Sequence, residues 1–326
     1  MNSFSRRKFV ALAASATAIA ASGTARADGF PSRPIRLVVP YAPGGGADMV
    51  ARTVAQRLTE TLGWSVVVDN RAGANGMIGA DNVAKSPADG YTLLLTDAAH
   101  ATNPAVQPKV PFDPIKDFAP LTLIGSSPQL LVANPSYPAN SLKELLAMPR
   151  DQVRGAGVGT TGPGSVAHLL LESLKLKSGM DLVHVPYKGG SAALTDAVGG
   201  QIPMVINSVP ACMPHVEAKR LKVLAIASPS RHPKLPQIQT FSESASGIVG
   251  SAWYGVLAPA RTPPDVLRQL SAALEKTVEL PDVKAKLTAA FIDPMPTGPQ
   301  AFANFLGEEI ARWQSVARQT GITANG

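Results

Sequence analysis

The sequence predicts an α/β protein of two lobes, each a mostly parallel sheet flanked by helices. Three observations carry this. Short, continuous apolar runs alternate with glycine turns and amphipathic runs, the pattern of parallel strands covered on both faces. The chain has 326 residues, more than one hydrophobic core comfortably serves. Finally, Val39-Pro40-Tyr41 followed by glycines and a helix recurs as Val185-Pro186-Tyr187 followed by glycines and a helix, placing equivalent helix starts in both halves.

The N-terminal segment is read as an address and not as fold. Ser5-Arg6-Arg7-Lys8-Phe9-Val10 has the twin-arginine pattern, an apolar run follows from Val10 to Ala21, and Ala25-Arg26-Ala27 supplies the small residues of a cleavage site. The apolar run is too short to span a membrane. Cleavage after Ala27 is expected, leaving a periplasmic chain that starts at Asp28. Arg6, Arg7, Lys8 and Arg26 would leave with the signal and no acid would, so the formal charge falls from +7 to +3. No basic run suited to nucleic acid then remains. The single cysteine, Cys212, excludes an internal disulfide and suits a buried apolar position.

The first predicted unit is Ile35 to Val39 as a strand, the turn Pro40-Tyr41-Ala42-Pro43-Gly44-Gly45-Gly46-Ala47-Asp48, and a helix from Met49 to Leu62. Glycines let a ligand approach the backbone, and the first amides of a helix lack internal partners. Together with the helix dipole they suit a carboxylate or phosphate. An unliganded βα turn is the plain alternative. Ser65 to Asp69 reads as a second strand, Ile78 to Lys85 as a helix, and Tyr91 to Thr96 as a third strand. Residues 97–120 are proline-rich and are expected to be irregular. Asp97 and His100 lie just past the carboxyl end of the third strand, where open α/β sheets bind ligands.

Leu121–Ile124 and Gln129–Ala133, separated by Gly125-Ser126-Ser127-Pro128, read as a strand leaving the first lobe for the second. The expected lobes are 28–124 plus 254–326, and 125–253. Ser141 should cap a helix at Leu142, with Glu144 at its third position. Gly157, Gly159 and Gly162 spell a dinucleotide-type G-x-G-x-x-G, but Pro163 and Gly164 interrupt it where a helix is needed. A carboxylate cradle of loop amides with the Thr160, Thr161 and Ser165 hydroxyls fits better, before a helix from Val166 to Leu176. His168 is read as an orienting or packing residue. Leu182 to Tyr187 is a strand, Lys188 opens the next glycine turn, and Ala192 to Val198 is a helix. Asn207 ends a strand from Ile202. A strand from Leu221 to Ala227 follows, then Ser251 to Leu257, where Trp253 is either a cleft wall or a core residue. The tail predicts helices from Pro264 to Glu279 and Pro299 to Thr320.

The five histidines have no metal-ligand spacing, and no nucleophile elbow, H-E-x-x-H or Walker lysine is present. The reading is therefore a binding protein without catalysis, cofactor or metal.

The motifs from Pro40 to Asp48, Asn70-Arg71-x-Gly73-x-x-Gly76, Pro87-x-Asp89-Gly90-Tyr91-Thr92-Leu93-Leu94, Asp117-Phe118-x-Pro120-Leu121, Val185 to Gly189 and Ala258-Pro259-Ala260 resemble, in order and spacing, the substrate-binding proteins of tripartite tricarboxylate transporters, the Bug or TctC family. The resemblance covers nearly the whole mature chain. It implies a two-lobed periplasmic binding protein with a hinge, closing on a small carboxylate and delivering it to membrane subunits; a monomer is expected. In that family the first glycine loop holds the carboxylate, partly through waters, which maps onto Tyr41 to Asp48. The second lobe would add Thr160 to Ser165 and the turn after Tyr187. Asp48 is expected to fix its loop by accepting amide hydrogen bonds, since it would repel an anion. Arg261 and Pro203-Met204 depart from the family pattern, and Arg71 is a candidate cation with a structural role as the alternative reading. A sensor receptor and a secreted enzyme of small acids are the other readings.

Overall fold

The computed structural model describes residues 29–324, so the predicted export signal lies outside the described residues. β1 (Ile35–Val39) leads through the first glycine loop into α1 (Gly46–Leu62), which Gly63 ends in the left-handed region. β2 (Val66–Asn70), α2 (Met77–Ala84), β3 (Thr92–Asp97) and α3 (Ala99–Val106) complete the first run. The long β4 (Phe118–Ala133) is followed by α4 (Leu142–Ala147), α5 (Arg150–Val153), β5 (Ala156–Thr160), α6 (Val166–Ser178), β6 (Leu182–Pro186) and α7 (Gly190–Val198). Then come β7 (Met204–Ser208), α8 (Val209–Glu217), β8 (Lys222–Ile226), α9 (Phe241–Ser244) and β9 (Ser251–Pro259). The tail is α10 (Pro264–Glu279), α11 (Pro281–Ala289), β10 (Asp293–Thr297) and α12 (Pro299–Thr320).

The strands run in the order β2-β1-β3-β9-β4-β7-β5-β6, with β10 and β8 also on β4. Each end is a parallel triplet: β1 between β2 and β3, and β5 between β6 and β7. Antiparallel strands join them. β9 pairs with β3, where Asp97 faces Tyr254, and with β4 from Phe118 opposite Pro259 to Pro128 opposite Ser251. Gln129 to Ala133 of β4 then pair with β7 and β8. One strand therefore serves both halves. Gly125 to Pro128 lies inside it, as the reading of one strand passing between lobes expects. Gly125 is required by the β10 backbone, since a Cβ there would lie 2.7 Å from the Asp293 carbonyl oxygen. Pro128 sits at the handover from β9 to β7, where a missing donor interrupts the pairing least.

Two expectations need correction. Residues 97–120 are not all irregular: α3 forms despite Pro104, because Asp97 Oδ1 accepts from Ala99 N (2.9 Å) and Ala101 and Val106 enter the core. The tail holds α11 and β10 besides its two expected helices. β10 is Asp-Pro-Met-Pro-Thr, and both prolines are tolerated because it pairs only through an irregular register. α12 buries Phe302, Leu306, Ile310, Trp313 and Ala317 at helical spacing and packs on α3, α6 and β4. Leu130, Val132, Leu194, Val205 and Cys212 form a second apolar cluster. Burial pushes the Cys212 thiol up to about 12. The Ser141 cap forms as expected, accepting from Glu144 N at 3.1 Å.

Candidate ligand site

The first glycine loop is exposed from Ala42 to Gly46, and it is anchored from beneath by Asp48. Asp48 Oδ2 accepts from Gly44 N (3.0 Å) and Arg52 Nε (2.9 Å), and Oδ1 accepts from Asn70 Nδ2 (3.0 Å). The same Asn70 amide reaches Tyr41 O at 3.0 Å. These bonds, the one from Arg52 foremost, hold the Asp48 carboxyl down at about 2. Gly44 has φ 91°, which glycine alone adopts at little cost. Gly45 is the N-cap of α1, and no side chain caps the helix. The first-turn amides are left open to an anion.

A polar wall stands behind this loop. Tyr41 OH donates to Asp97 Oδ1 (2.7 Å), and the Tyr254 hydroxyl reaches Gly46 so closely that a Cβ there would be 2.5 Å from its oxygen. Burial raises the Asp97 carboxyl above its usual range, and burial with Asp97 nearby raises both tyrosines. Asp97 thus supports Tyr41 from within. His100 is placed differently from the expectation: it is buried, stacked 5.6 Å from Phe112, with Nε2 2.9 Å from Pro114 O. Burial drives it down to about 4, so it is a neutral packing residue.

The loop after β5 is similarly self-bonded. Thr160 Oγ1 accepts from Gly162 N (3.2 Å) and lies 2.7 Å from His184 Nε2. Ser165 Oγ donates to Gly162 O (2.7 Å) and accepts from His168 N (3.2 Å) as the cap of α6. Those two hydroxyls are committed to shaping the loop, and Thr161 is the exposed one. Ser165 meets the His168 backbone and not its ring, so the pair is no catalytic dyad. Gly157 and Gly159 lie within β5, where a Cβ on Gly159 would be 2.6 Å from Ile202 Cδ1, so packing explains them.

The third loop, after β6, carries exposed Lys188 and leads to Gly190 at the start of α7, again without a side-chain cap. Tyr187 OH donates to Asp196 Oδ2 at 2.7 Å, and burial with that bond pushes its pKa up to about 12. Asn207 is 4% exposed, and its Oδ1 accepts from Ser208 N (2.8 Å). Its Nδ2 has no partner, and a Cβ on Gly190 would come within 2.1 Å of it. A buried, unpaired donor at an uncapped helix start is the strongest single mark of a missing acceptor.

Trp253 is a core residue and not a cleft wall. It is fully buried, its Nε1 donates to Glu309 Oε2 at 3.2 Å, and Phe302 and Phe305 meet it edge-on. Strand alternation sends the next side chain, Tyr254, to the opposite face and against the first loop. Sequence reasoning passed over Tyr254, though the alternation carried its signal, and quoted Asn70 in a motif without its support of the first loop. Among the described residues no group of three or more His, Cys, Asp or Glu is placed to hold a metal ion.

The family model described as tripartite tricarboxylate transporter family receptor, TctC, matches residues 50–322. The chain belongs to this family. Among its TctC relatives, Protein BugT of Bordetella pertussis is 36% identical over 90% of this chain and 91% of its own length. The solved structure of R. palustris Rpa4515 with adipate is 36% identical, covers 90% of this chain and 99% of its own, and gives a TM-score of 0.79. MatC from Rhodopseudomonas palustris, solved with bound malate, is 31% identical over 88% of this chain and 99% of its own, with a TM-score of 0.74. The mixed α/β topology above agrees with these TctC-type structures.

Proposed function

We propose that this protein is a periplasmic receptor that captures a small carboxylated solute between its lobes and hands it to the membrane subunits of a tripartite tricarboxylate-type transporter, without chemical turnover. The observation that carries the reading is the unpaired Nδ2 of buried Asn207 at the uncapped start of α7. The exposed glycine loop at the uncapped start of α1 supports it from the other half of the chain. Adipate and malate in two related structures point to the same class of solute. Tyr41 to Asp48 would meet the anion through backbone amides, with Thr161, Lys188 and Asn207 facing it from the second lobe.

Capture follows from closure. Donors from both lobes gather around one solute only in the closed arrangement, so the solute favours that arrangement by its extra bonds. Micromolar affinity, about −8 kcal/mol, suffices for such a receptor. Export by the twin-arginine signal, a lobe division near residues 124 and 253, and a monomeric state belong to the same reading.

The test is a thermal-shift screen of the mature protein against dicarboxylates, tricarboxylates, amino acids, aromatic acids and sugars. Binding to the folded state raises the melting temperature by mass action. A shift with adipate or malate, and recovery of the acid unchanged after incubation, is expected. A shift with uncharged sugars and none with any acid would sink the proposal.

A further inference from the structure

The loop between Thr160 and Ser165 rests on a pair of imidazoles. The His168 and His184 rings stack with centroids 3.5 Å apart and planes 13° from parallel. Each touches the loop: Gly164 N donates to His168 Nδ1 (3.2 Å), and Thr160 Oγ1 lies 2.7 Å from His184 Nε2. On its other side the loop meets α3, where a Cβ on Gly164 would be 2.7 Å from Val106. The loop therefore has little room to shift while both imidazoles stay in place.

We propose that His168 and His184 are positioning residues for solute capture, holding the 160–165 loop in its binding shape while neutral and releasing it when His168 takes up a proton. The proposal rests on the carboxylate-receptor reading and adds an acid sensitivity to it. The chemistry is in the direction of one bond. His168 Nδ1 accepts from Gly164 N only while it carries no proton; protonated, it presents a donor to a donor. The neutral ring then keeps its proton on Nε2, which points to Glu172 Oε1 at 3.8 Å.

The charged groups around the pair are few. Among the described residues, Glu172 is the carboxylate that pairs with His168, and Lys175 Nζ already holds its Oε1 at 2.8 Å. Burial, then the facing His184, then Lys175 bring His168 down to about 3, and burial also lowers His184. A released imidazole titrates near its ordinary value of about 6.5. Below that value each step in acidity favours the released loop over the held one.

The test uses mature protein labelled with 15N at histidine and glycine, titrated from pH 7.5 to 4.5 without ligand, and calorimetry with adipate and malate over the same range. In wild type the Gly164 amide signal should follow protonation of His168. Affinity should fall about tenfold or more after correction for the acid's own titration. His168→Asn offers an acceptor near the Nδ1 position that does not titrate; it should bind more weakly than wild type at pH 7.5 but with a flat pH profile. His168→Ala should bind weakly throughout. His184→Gln, the second variant if His168→Asn fails to fold, leaves His168 Nδ1 to titrate and should keep the acid loss; a flat pH profile there overturns the proposal. Parallel pH profiles for wild type and His168→Asn, or a Gly164 amide indifferent to His168, overturn the proposal. If neither acid binds at pH 7.5, the carboxylate reading fails, while the ligand-free titration still decides whether His168 holds the loop.

Discussion

The Tyr254 hydroxyl is packed against the Cα of Gly46, with no space left for a side chain between them. A Cβ at Gly46 would be 2.5 Å from that oxygen and 3.5 Å from the ring carbon that bears it. Gly46→Ala is thus an overpacking change, expected to cost about 1–3 kcal/mol. Removing the oxygen should relieve it, because 3.5 Å to carbon is ordinary contact. Urea unfolding of Gly46→Ala, Tyr254→Phe and the double variant checks this. The double variant should be more stable than Gly46→Ala alone, and additive losses would refute the contact.

Gly45, one residue earlier, is open. Nothing lies within 4 Å of a Cβ built there, and its φ of −85° and ψ of 176° suit a β-branched residue. Gly45→Val gives up a favoured N-cap residue and should lower unfolding free energy by about 1 kcal/mol, leaving the fold intact. Its methyl groups would cover the first-turn amides of α1, so carboxylate binding should weaken by about 2 kcal/mol or more, roughly 30-fold. Calorimetry with adipate reads the second number. Retained affinity would remove the first loop from the site.

These neighbouring glycines mark what a sequence can and cannot show. The strand, glycine turn and helix around them were legible because period and punctuation are local properties. So were the 264–279 and 299–320 helices, whose apolar stripes repeat along one face. Which glycine faces a tyrosine more than 200 positions away depends on the β3–β9 pairing, and that is not written locally. The same distance hid the role of Trp253. Its type suited either a wall or a core, and only Glu309, contributed by α12, decides it. Hydroxyls misled for a related reason: Thr160 and Ser165 are the right groups for an anion, but their own loop takes them first. β10 was missed because its irregular pairing with β4 tolerates two prolines, and α3 because the burial of Ala101 and Val106 outweighed Pro104.

Asp48 should be a pH-dependent support. Its carboxyl is held at about 2, below the ordinary carboxylate value of 3.8, chiefly by Arg52 and then by Gly44 and Asn70. A depressed carboxyl contributes stability that is complete above the unfolded value and lost as pH falls through the folded one. The window is therefore about pH 4 down to 2. Asp48→Asn places an amide donor against Gly44 N or Arg52, leaving a mismatch worth about 1–3 kcal/mol at pH 7. Denaturation at pH 7 and pH 2.5 should show the gap between the two proteins narrowing in acid. A gap that is the same at both pH values would mean that the charge of Asp48 does not hold the loop.

Glu309 joins the tail helix to the crossing strand. Its Oε2 accepts from both Trp253 Nε1 and Trp313 Nε1, each at 3.2 Å, and Arg312 donates to its Oε1. The side chain is buried, so these donors have no water to turn to. Glu309→Leu would strand two indole N–H groups and weaken the hold on Arg312, a loss of about 3–5 kcal/mol. Glu309→Gln keeps one oxygen, which can serve the two indoles while its amide faces Arg312, and should cost about 1–3 kcal/mol. Denaturation followed by tryptophan emission measures both, since two of the three tryptophans in the chain sit on this carboxylate. Because Trp253 faces α12 and not the glycine loop, the adipate affinity of folded Glu309→Gln should stay within about threefold of wild type. A larger change in affinity than in stability would return Trp253 to the ligand site.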